Sequence, residues 1–289
     1  MIQFDRSYEL IIGDGVSGDG FSITDLQLNF KINKVVDNNN KADYCQCVVT
    51  NLSDKQLALL EVDYPVFSLA VGYAEDNVEL FRGEVTDVET KRNGPNRVTT
   101  FRATPRYTTL NHTLISSLIP DSGTVADVIE EIRKKADVTK GTYVGDQLAY
   151  RITYGYPLVG TPRQLLDQVC ETYGLSWRIE SDALYINAVD TVASEVRSAA
   201  PVLSYTTGLL EEPTPLKDTS GKSKDDPERR RGIRVRALIN PRVAPGNLIK
   251  VVYKDVESFY RVDEVTYTGD YRGTQWQMEC LCYTRIKEG

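Results

Sequence analysis

The sequence predicts a mainly β protein with a small α+β insert. Three observations carry that expectation. Apolar and polar residues alternate along both ends of the chain, at the two-residue period of a half-buried strand. Two stretches in the middle show helical periodicity instead, each behind a capping signal. Short groups of Gly, Asn, Asp and Pro separate the strand-like runs, at the spacing of a sandwich or barrel. The chain has 289 residues. That length suits about two domains, or three small ones.

Tyr8 to Ile12 opens the chain as a short apolar strand. Phe21 to Ile32 alternates next, with Phe21 and Ile23, then Leu26, Leu28, Phe30 and Ile32 on one face. The one-residue slip predicts a bulge within a single strand. Asp37 to Lys41 is rich in Asn and Asp, which tolerate a left-handed backbone, and reads as a turn. Strands are expected over Tyr44 to Thr50, Val66 to Tyr73, Val78 to Val88 and Arg97 to Ala103. Asn93-Gly94-Pro95-Asn96 joins the last two as a hairpin turn.

The middle of the chain changes period. Thr124 and Asp127 have the spacing of a capping box, and Val125, Val128, Ile129, Ile132 and Ala136 make one helical stripe. Glu130 and Glu131 precede Arg133, Lys134 and Lys135, an order that suits the helix dipole. The second helix starts at Thr161 as N-cap, with Pro162 at the first position and Gln164 at the third. Leu165, Leu166, Val169, Cys170 and Tyr173 form its buried face, and Gly174 ends it. Leu175 to Ile179 and Ala183 to Ala188 then read as a hairpin. Residues 109–190 are thus expected to form a middle α+β unit with two short helices.

Strand patterns return over Val202 to Tyr205, Gly232 to Leu238, Asn247 to Tyr253, Ser258 to Thr268 and Gln275 to Arg285. Between the first two of these lies 211–231, with three prolines and the run Lys222 to Arg231. Such a segment has little apolar surface to bury and is expected to be an exposed, charged loop.

Charge and composition exclude several classes of function. Lys and Arg number 34 against 41 Asp and Glu, a net charge of −7. A chain this acidic is a poor candidate for non-specific nucleic-acid binding, which needs a basic face to neutralise phosphates. No apolar run reaches the roughly 20 residues that span a bilayer, so no membrane insertion is expected. Met1 to Leu10 has neither the basic nor the apolar region of a signal peptide, and five cysteines in such a chain are expected to stay reduced.

Gly13-Asp-Gly15-Val-Ser-Gly18 has dinucleotide-site spacing, but strand rather than helix follows it, so a hairpin loop is expected. The same acidic stretch lacks the spaced ligands of a calcium loop. Cys45, Cys47, Cys280 and Cys282 lie two apart on strands, and could gather around zinc if their strands were neighbours. Trp276 and Met278 share a face with Cys280 and Cys282, which favours core packing instead. His112 is the single histidine and has no nucleophile motif beside it. The pairs Glu211-Glu212 and Asp225-Asp226 read as solvated loop charges, and Trp177 and Trp276 as buried side chains. Asn51-Leu-Ser53 and Asn111-His-Thr113 match a glycosylation acceptor, which means nothing without a secretion signal. No catalytic residue, cofactor site or metal site is assigned, and no enzyme activity is expected.

Several segments together resemble a known family. They are Leu203 to Leu210, containing Thr207-Gly208-Leu209, then Leu238-Ile-Asn240-Pro241, the turn Pro245-Gly246, and Gly269-Asp270 leading to Trp276. Asn51-Leu52-Ser53, Gly72-Tyr73 and Phe81-Arg-Gly83-Glu-Val85 agree in the first part, and Gly160 to Trp177 in the middle. In order and spacing these are similar to the baseplate hub protein of contractile-tailed bacteriophages, related to the hub part of type VI secretion spikes. The charged run from Lys217 to Arg231 is longer than that pattern requires. The resemblance implies two tail-tube-like β-barrel domains, 1–108 and 191–289, flanking the 109–190 unit. It also implies a homotrimer that forms a ring with pseudo-six-fold symmetry and leaves a channel for DNA passage. Its implied partners are the central spike, tail tube or tube-initiator proteins, and baseplate wedge and tape-measure proteins. The implied location is the virion, in a contractile tail baseplate assembled in the host cytoplasm. Two other classes were weighed: a tail-associated peptidoglycan hydrolase, which needs facing carboxylates in a cleft, and a glycan- or receptor-binding β-module, which needs an exposed aromatic platform.

Overall fold

The computed structural model describes residues 5–15, 17–36, 43–74, 76–188, 200–216, 232–254 and 256–283. The expected turn at Asp37 to Lys41, the pair Asp225-Asp226 and the run Lys217 to Arg231 lie outside the described residues.

The first region is a rolled antiparallel sheet. β1 (Arg6–Gly13) and β2 (Gly20–Ile23) form a hairpin, so the glycine-rich motif is the hairpin loop its context predicts. β3 (Leu28–Val35), β4 (Tyr44–Thr50), β5 (Val66–Tyr73), β6 (Asp76–Asn93) and β7 (Asn96–Thr104) follow. Their hydrogen-bonded order is β3-β4-β7-β6-β5-β1-β2. One face of each strand goes inside: Tyr8, Leu10 and Ile12 meet Phe30, Ile32, Cys45, Cys47, Phe67, Leu69 and Phe101 in the core. The Tyr8 hydroxyl donates to the Leu26 carbonyl at 2.6 Å, tying the end of the roll back towards its start.

Two expectations need correction here. Phe21 to Ile32 is not one bulged strand; Thr24 to Gln27 breaks it into β2 and β3. A helix was also missed. α1 (Asp54–Leu60) starts at Ser53, whose side chain accepts the Gln56 amide while Gln56 reaches back to Ser53, a capping box that places Leu60 in the core.

The middle region has a separate apolar core that draws on residues from Leu110 to Ala188. It contains α2 (Tyr107–His112), β8 (Ile115–Ile119), α3 (Val125–Lys135), β9 (Thr139–Val144), β10 (Tyr156–Gly160), α4 (Pro162–Tyr173), β11 (Leu175–Glu180) and β12 (Ala183–Ala188). The capping boxes at Thr124 and Thr161 form as the sequence predicts, and the apolar stripes of α3 and α4 are buried. Gly174 ends α4 at φ 64°, a left-handed conformation that favours glycine. α2, β8, β9 and β10 were not anticipated; α2 has no side-chain cap to signal it.

The last region returns to strands: β13 (Val202–Leu203), β14 (Thr214–Pro215), β15 (Gly232–Leu238), β16 (Leu248–Tyr253), β17 (Val256–Asp270) and β18 (Trp276–Tyr283). β13 pairs with β16, and seven residues beyond Val202 an isolated bridge joins Leu209 to Ala237 of β15. With β15-β18-β17-β16 already in sequence, the 202–210 segment closes these strands into a barrel. The observed fold is thus mainly β with a small α+β insert, as predicted.

Candidate functional site, an assembly surface

The two β regions share one sheet. β17 pairs along seven residues with β3, from Glu264 opposite Val35 to Asp270 opposite Asn29. The joint is reinforced at both ends. Val36 donates its backbone N–H to Asp263 O at 2.8 Å, and Tyr271 donates to Leu28 O at 2.9 Å. Arg6 reaches the carbonyls of Gly273 (2.7 Å) and Thr274 (3.2 Å) and lies over the Trp276 ring. At Gly269, opposite Phe30, an added methyl would collide with the Phe30 ring, so only glycine fits the close approach. The apolar core is continuous through both barrels.

The two halves repeat one plan. In the first, neighbours run β3-β4-β7-β6-β5-β1; in the second, β14-β15-β18-β17-β16-β13. Both long strands carry a register break at the same place. It falls between Val85 and Asp87 in β6 and between Val262 and Glu264 in β17, in each case seven residues from the strand end. The bulged residues are Thr86 and Asp263.

Eight strands therefore form one continuous face, β14-β15-β18-β17-β3-β4-β7-β6. Pointing away from both cores, one register line reads Gln277, Thr268, Lys31, Gln46, Arg102, Asp87. The next reads Arg236, Glu279, Thr266, Asn33, Tyr44. These residues are polar and of mixed charge. Arg236 bonds Glu279 at 2.8 Å, Thr266 bonds Asn33 at 2.9 Å, and Arg102 stacks over Tyr44. Among the described residues, the face ends in two open edges. Asp87–Asn93 of β6 pairs only with β7, and β14 pairs only with β15.

On the opposite side, the middle unit docks through buried charge. Lys34 of β3 meets Glu180 of β11 at 3.0 Å, and Arg178 meets the other Glu180 oxygen at 3.5 Å. Arg178 is only 4% exposed, and its Nε and one terminal nitrogen have no partner among the described residues. Asp43 is buried beside them and accepts the Val35 N–H at 2.9 Å. Burial pushes its carboxyl up to about 7, against the pull of that N–H and of Lys34. Burial also acts on Glu180, but Lys34 and Arg178 outweigh it and hold Glu180 below the usual carboxylate range. A cavity of about 20 Å³, room for one water, lies at this joint between Asp43, Thr104 and Pro105 and the middle unit's Leu110, Trp177 and Ile179. The β11–β12 hairpin tip adds two contacts: Ser181 donates to Glu79 at 2.9 Å, and Asp182 pairs with Arg106 at 3.3 Å.

The motif residues are dispersed. β4 and β18 are separated by β3 and β17, so the two cysteine pairs stand three strand spacings apart, about 14 Å, and do not form a cluster. None of the five cysteines is in a disulfide, and all are buried. Burial and the Cys47 thiol push the Cys45 thiol up. His112 is exposed at the end of α2, against Tyr64 and Tyr107, each at 5.6 Å. Glu211 pairs with Arg236 at 3.5 Å, and Glu212 with Lys254 at 3.7 Å. Trp177 and Trp276 are buried, and Trp177 donates to Asp167 at 2.8 Å. Asn51 and Asn111 are spent on local hydrogen bonds, to Asn96 and to the Tyr107 carbonyl. Sequence reasoning missed the Lys34, Asp43, Arg178 and Glu180 group. Its one legible signal was charge at positions of a strand pattern that should face inward.

No protein-family model matches the sequence, and no curated protein matches it. Solved structures do, among them phage tail proteins and a type VI secretion component. A tail protein from Neisseria meningitidis MC58 aligns over 97% of this chain and 97% of its own, with TM-score 0.66 and 12% identity. An Escherichia coli type VI secretion component, described as similar to the T4 bacteriophage tail proteins gp27 and gp5, aligns over 96% of this chain and 77% of its own, with TM-score 0.67 and 12% identity. The 43 kDa tail protein of prophage MuSo2 from Shewanella oneidensis gives 98% and 99%, TM-score 0.62 and 9% identity. At such identities the likeness establishes the fold.

Proposed function

We propose that the chain is a structural tail component, a baseplate hub. Three copies form a ring that joins a six-fold tail tube to a three-fold central spike. The observation that carries this reading is the repeat of one half-sheet within the chain, joined head to tail through β17 and β3. Two repeats in each of three chains give six tube-like units, which matches a six-fold tube while keeping three-fold symmetry for a spike.

The polar eight-stranded face is the natural channel wall. Both barrel cores and the middle unit lie on its other side, so the bulk of each chain is outside a ring closed around that face. Alternating charges such as Lys31, Arg102, Asp87 and Glu279 offer passing DNA no continuous basic track. We keep the division into a first barrel at 1–108, a middle unit at 109–190 and a second barrel at 191–289. We place the protein in the virion, with spike, tube, wedge and tape-measure proteins as neighbours and no catalytic role.

Light scattering followed by electron-microscope class averages tests the reading. The ring predicts a particle of 3 × 32.4 = 97.2 kDa with a central hole. A chain that stays at 32.4 kDa, even when mixed with its spike protein, overturns it.

A further inference from the structure

The middle unit carries a two-stranded ribbon that is covered on one face only. β8 pairs antiparallel with β10, with Ser116 opposite Val159 and Leu118 opposite Pro157. Ile115, Ile119 and Leu158 enter the core of the middle unit. By strand alternation the other face shows Ser116, Leu118, Pro157 and Val159, with Leu114 in line ahead of them. Leu114 is 81% exposed, Leu118 69% and Val159 76%. Tyr154, 94% exposed, stands just before β10. Scattered exposed leucines are ordinary, but these side chains adjoin one another across two paired strands.

We propose that this ribbon docks an extended segment of another protein, which adds to β8 as a third strand and lays apolar side chains beside Leu114 and Leu118. The inference goes beyond the ring reading and does not depend on it.

A proline decides which edge is free to pair. A hydrogen-bonded antiparallel pair exchanges two N–H groups, and Pro157 has none. Pro157 and Leu118 are therefore a non-hydrogen-bonded pair, and Ser117 with Leu158 is a bonded one. The N–H and C=O groups of Ser116 and Leu118 then point away from β10, to the outer edge of β8. Among the described residues, no backbone group meets them there. The outer edge of β10 lacks the Pro157 donor, so β8 offers the fuller ladder.

This edge also carries no guard. Residues 113–120 and 152–162 contain no Asp, Glu, Lys or Arg, whereas the open end of β6 has Glu89, Lys91 and Arg92. Charge keeps an edge unpaired. A bare edge beside exposed apolar side chains is the reverse arrangement. It suits strand addition, in which the main chain gives affinity and alternate side chains give specificity.

Size and chemistry select the occupant. A stable interface takes roughly 20–30 residues a side, far more than the few side chains of this ribbon, so a second copy would not be held by it. The unmet backbone groups call for a peptide main chain; lipid tails have nothing to pair with them. A charged segment would lose water on the ribbon and find no counter-ion, so the added strand is uncharged and apolar at alternate positions. Its length matches the five residues of β8.

Fluorescence anisotropy of the full chain tests the inference with two peptides. The probe is fluorescein-labelled Thr-Val-Thr-Val-Thr-Val-Thr. Its twin is N-methylated at the central amides, which removes the donors and keeps the side chains. The first should bind saturably at about 1 mM or tighter, and the twin at least about tenfold more weakly. Leu118→Lys and Val159→Lys change exposed positions, leave the core intact, and should each weaken the first peptide by about tenfold or more. Hydrogen exchange should slow at Ser116 and Leu118 when that peptide is bound. No saturable binding, equal binding of the two peptides, or binding unmoved by both variants would overturn the proposal. Adsorption of the chain to phosphatidylcholine vesicles that Leu118→Lys abolishes would overturn it in favour of lipid. A fall in native mass in Leu118→Lys would overturn it in favour of a second copy. A wild-type chain that stays monomeric defeats the ring reading and leaves this one standing.

Discussion

Among the described residues, the stretch of the first barrel beyond the bulge of its long strand, Asp87–Asn93, has a neighbour on one side. In the second barrel its counterpart, Glu264–Asp270, has neighbours on both. The same stretch of fold is an exposed edge in one half and the centre of a sheet in the other. Residue choice follows that difference. The covered strand reads Val265, Thr266, Tyr267, Thr268, Gly269, while the open one ends Glu89, Thr90, Lys91, Arg92, Asn93. Charge, above all Lys, is how natural edges avoid random pairing, and glycine opposite an aromatic ring belongs to a joint that is always closed. The comparison separates a strand covered on both sides from its counterpart at a sheet edge.

The largest effect is expected where the second barrel differs most from the first. Trp276 begins β18 and Arg97 holds the matching place in β7: the one faces Gly269, the other Arg92. Trp276 is 1% exposed and packs edge-on against Phe30 at 5.5 Å, across the joint between barrels. Arg97 instead holds the α1 end, bonding Asp54 at 2.7 Å and the Leu52 carbonyl at 2.6 Å. Trp276→Ala should destabilise by about 3–5 kcal/mol in denaturant titration. Arg97→Ala should cost about 1 kcal/mol or less, because its ion pair faces solvent. Equal losses would mean that the two places are not structurally distinct.

How much of this was legible in the sequence depends on period and on distance. Period-2 runs such as Tyr44 to Thr50 and the capped helices at Thr124 and Thr161 are local signals, and each folded as read. β6 runs five residues beyond Val88 because the hairpin with β7 carries its polar end without a core to mark it. α1 was hidden by its length of seven residues, although Ser53 and Gln56 spelled its cap. The candidate surface was not legible at all. It depends on β17 lying beside β3, a pairing between residues more than 200 apart that no local pattern encodes.

A second effect tests the docking of the middle unit, which touches the shared sheet on one side only. Asp43 has a carboxyl raised to about 7, so the folded protein holds a proton that the unfolded chain releases near 4. The folded state binds more protons between those values. Stability contributed by Asp43 is therefore greatest at low pH and is lost as pH rises through about 7, at most about 4 kcal/mol in all. Glu180 has the opposite sign: its contribution is present above its unfolded value and lost as pH falls below it. Asp43→Asn should flatten the stability profile between about pH 4 and 7, the window these values define. The check is chemical denaturation of both proteins across that range. An unchanged slope would mean that Asp43 is ionised in the folded protein and has found a cation, Arg178 being the one with free donors.

The smallest effect sharpens the comparison of the two barrels at their caps. Between β4 and β5 the first barrel inserts α1; between β15 and β16 the second has only the turn around Val243 and Ala244. There the Tyr267 hydroxyl donates to the Val243 carbonyl, so a side chain from the wall holds the turn in place. α1 is held from the other direction, by Leu60 entering the core and by its own capping box. If that account is right, Ser53→Ala removes a cap and nothing else, and should cost about 1 kcal/mol. Ser53→Asp, which can still accept the Gln56 amide, should cost less. Hydrogen exchange would place the loss in the amides of α1 and leave the β15–β16 turn untouched. Exchange that rose in both barrels together would mean the caps are coupled through the continuous core, and the two halves would then have to be treated as one cooperative unit.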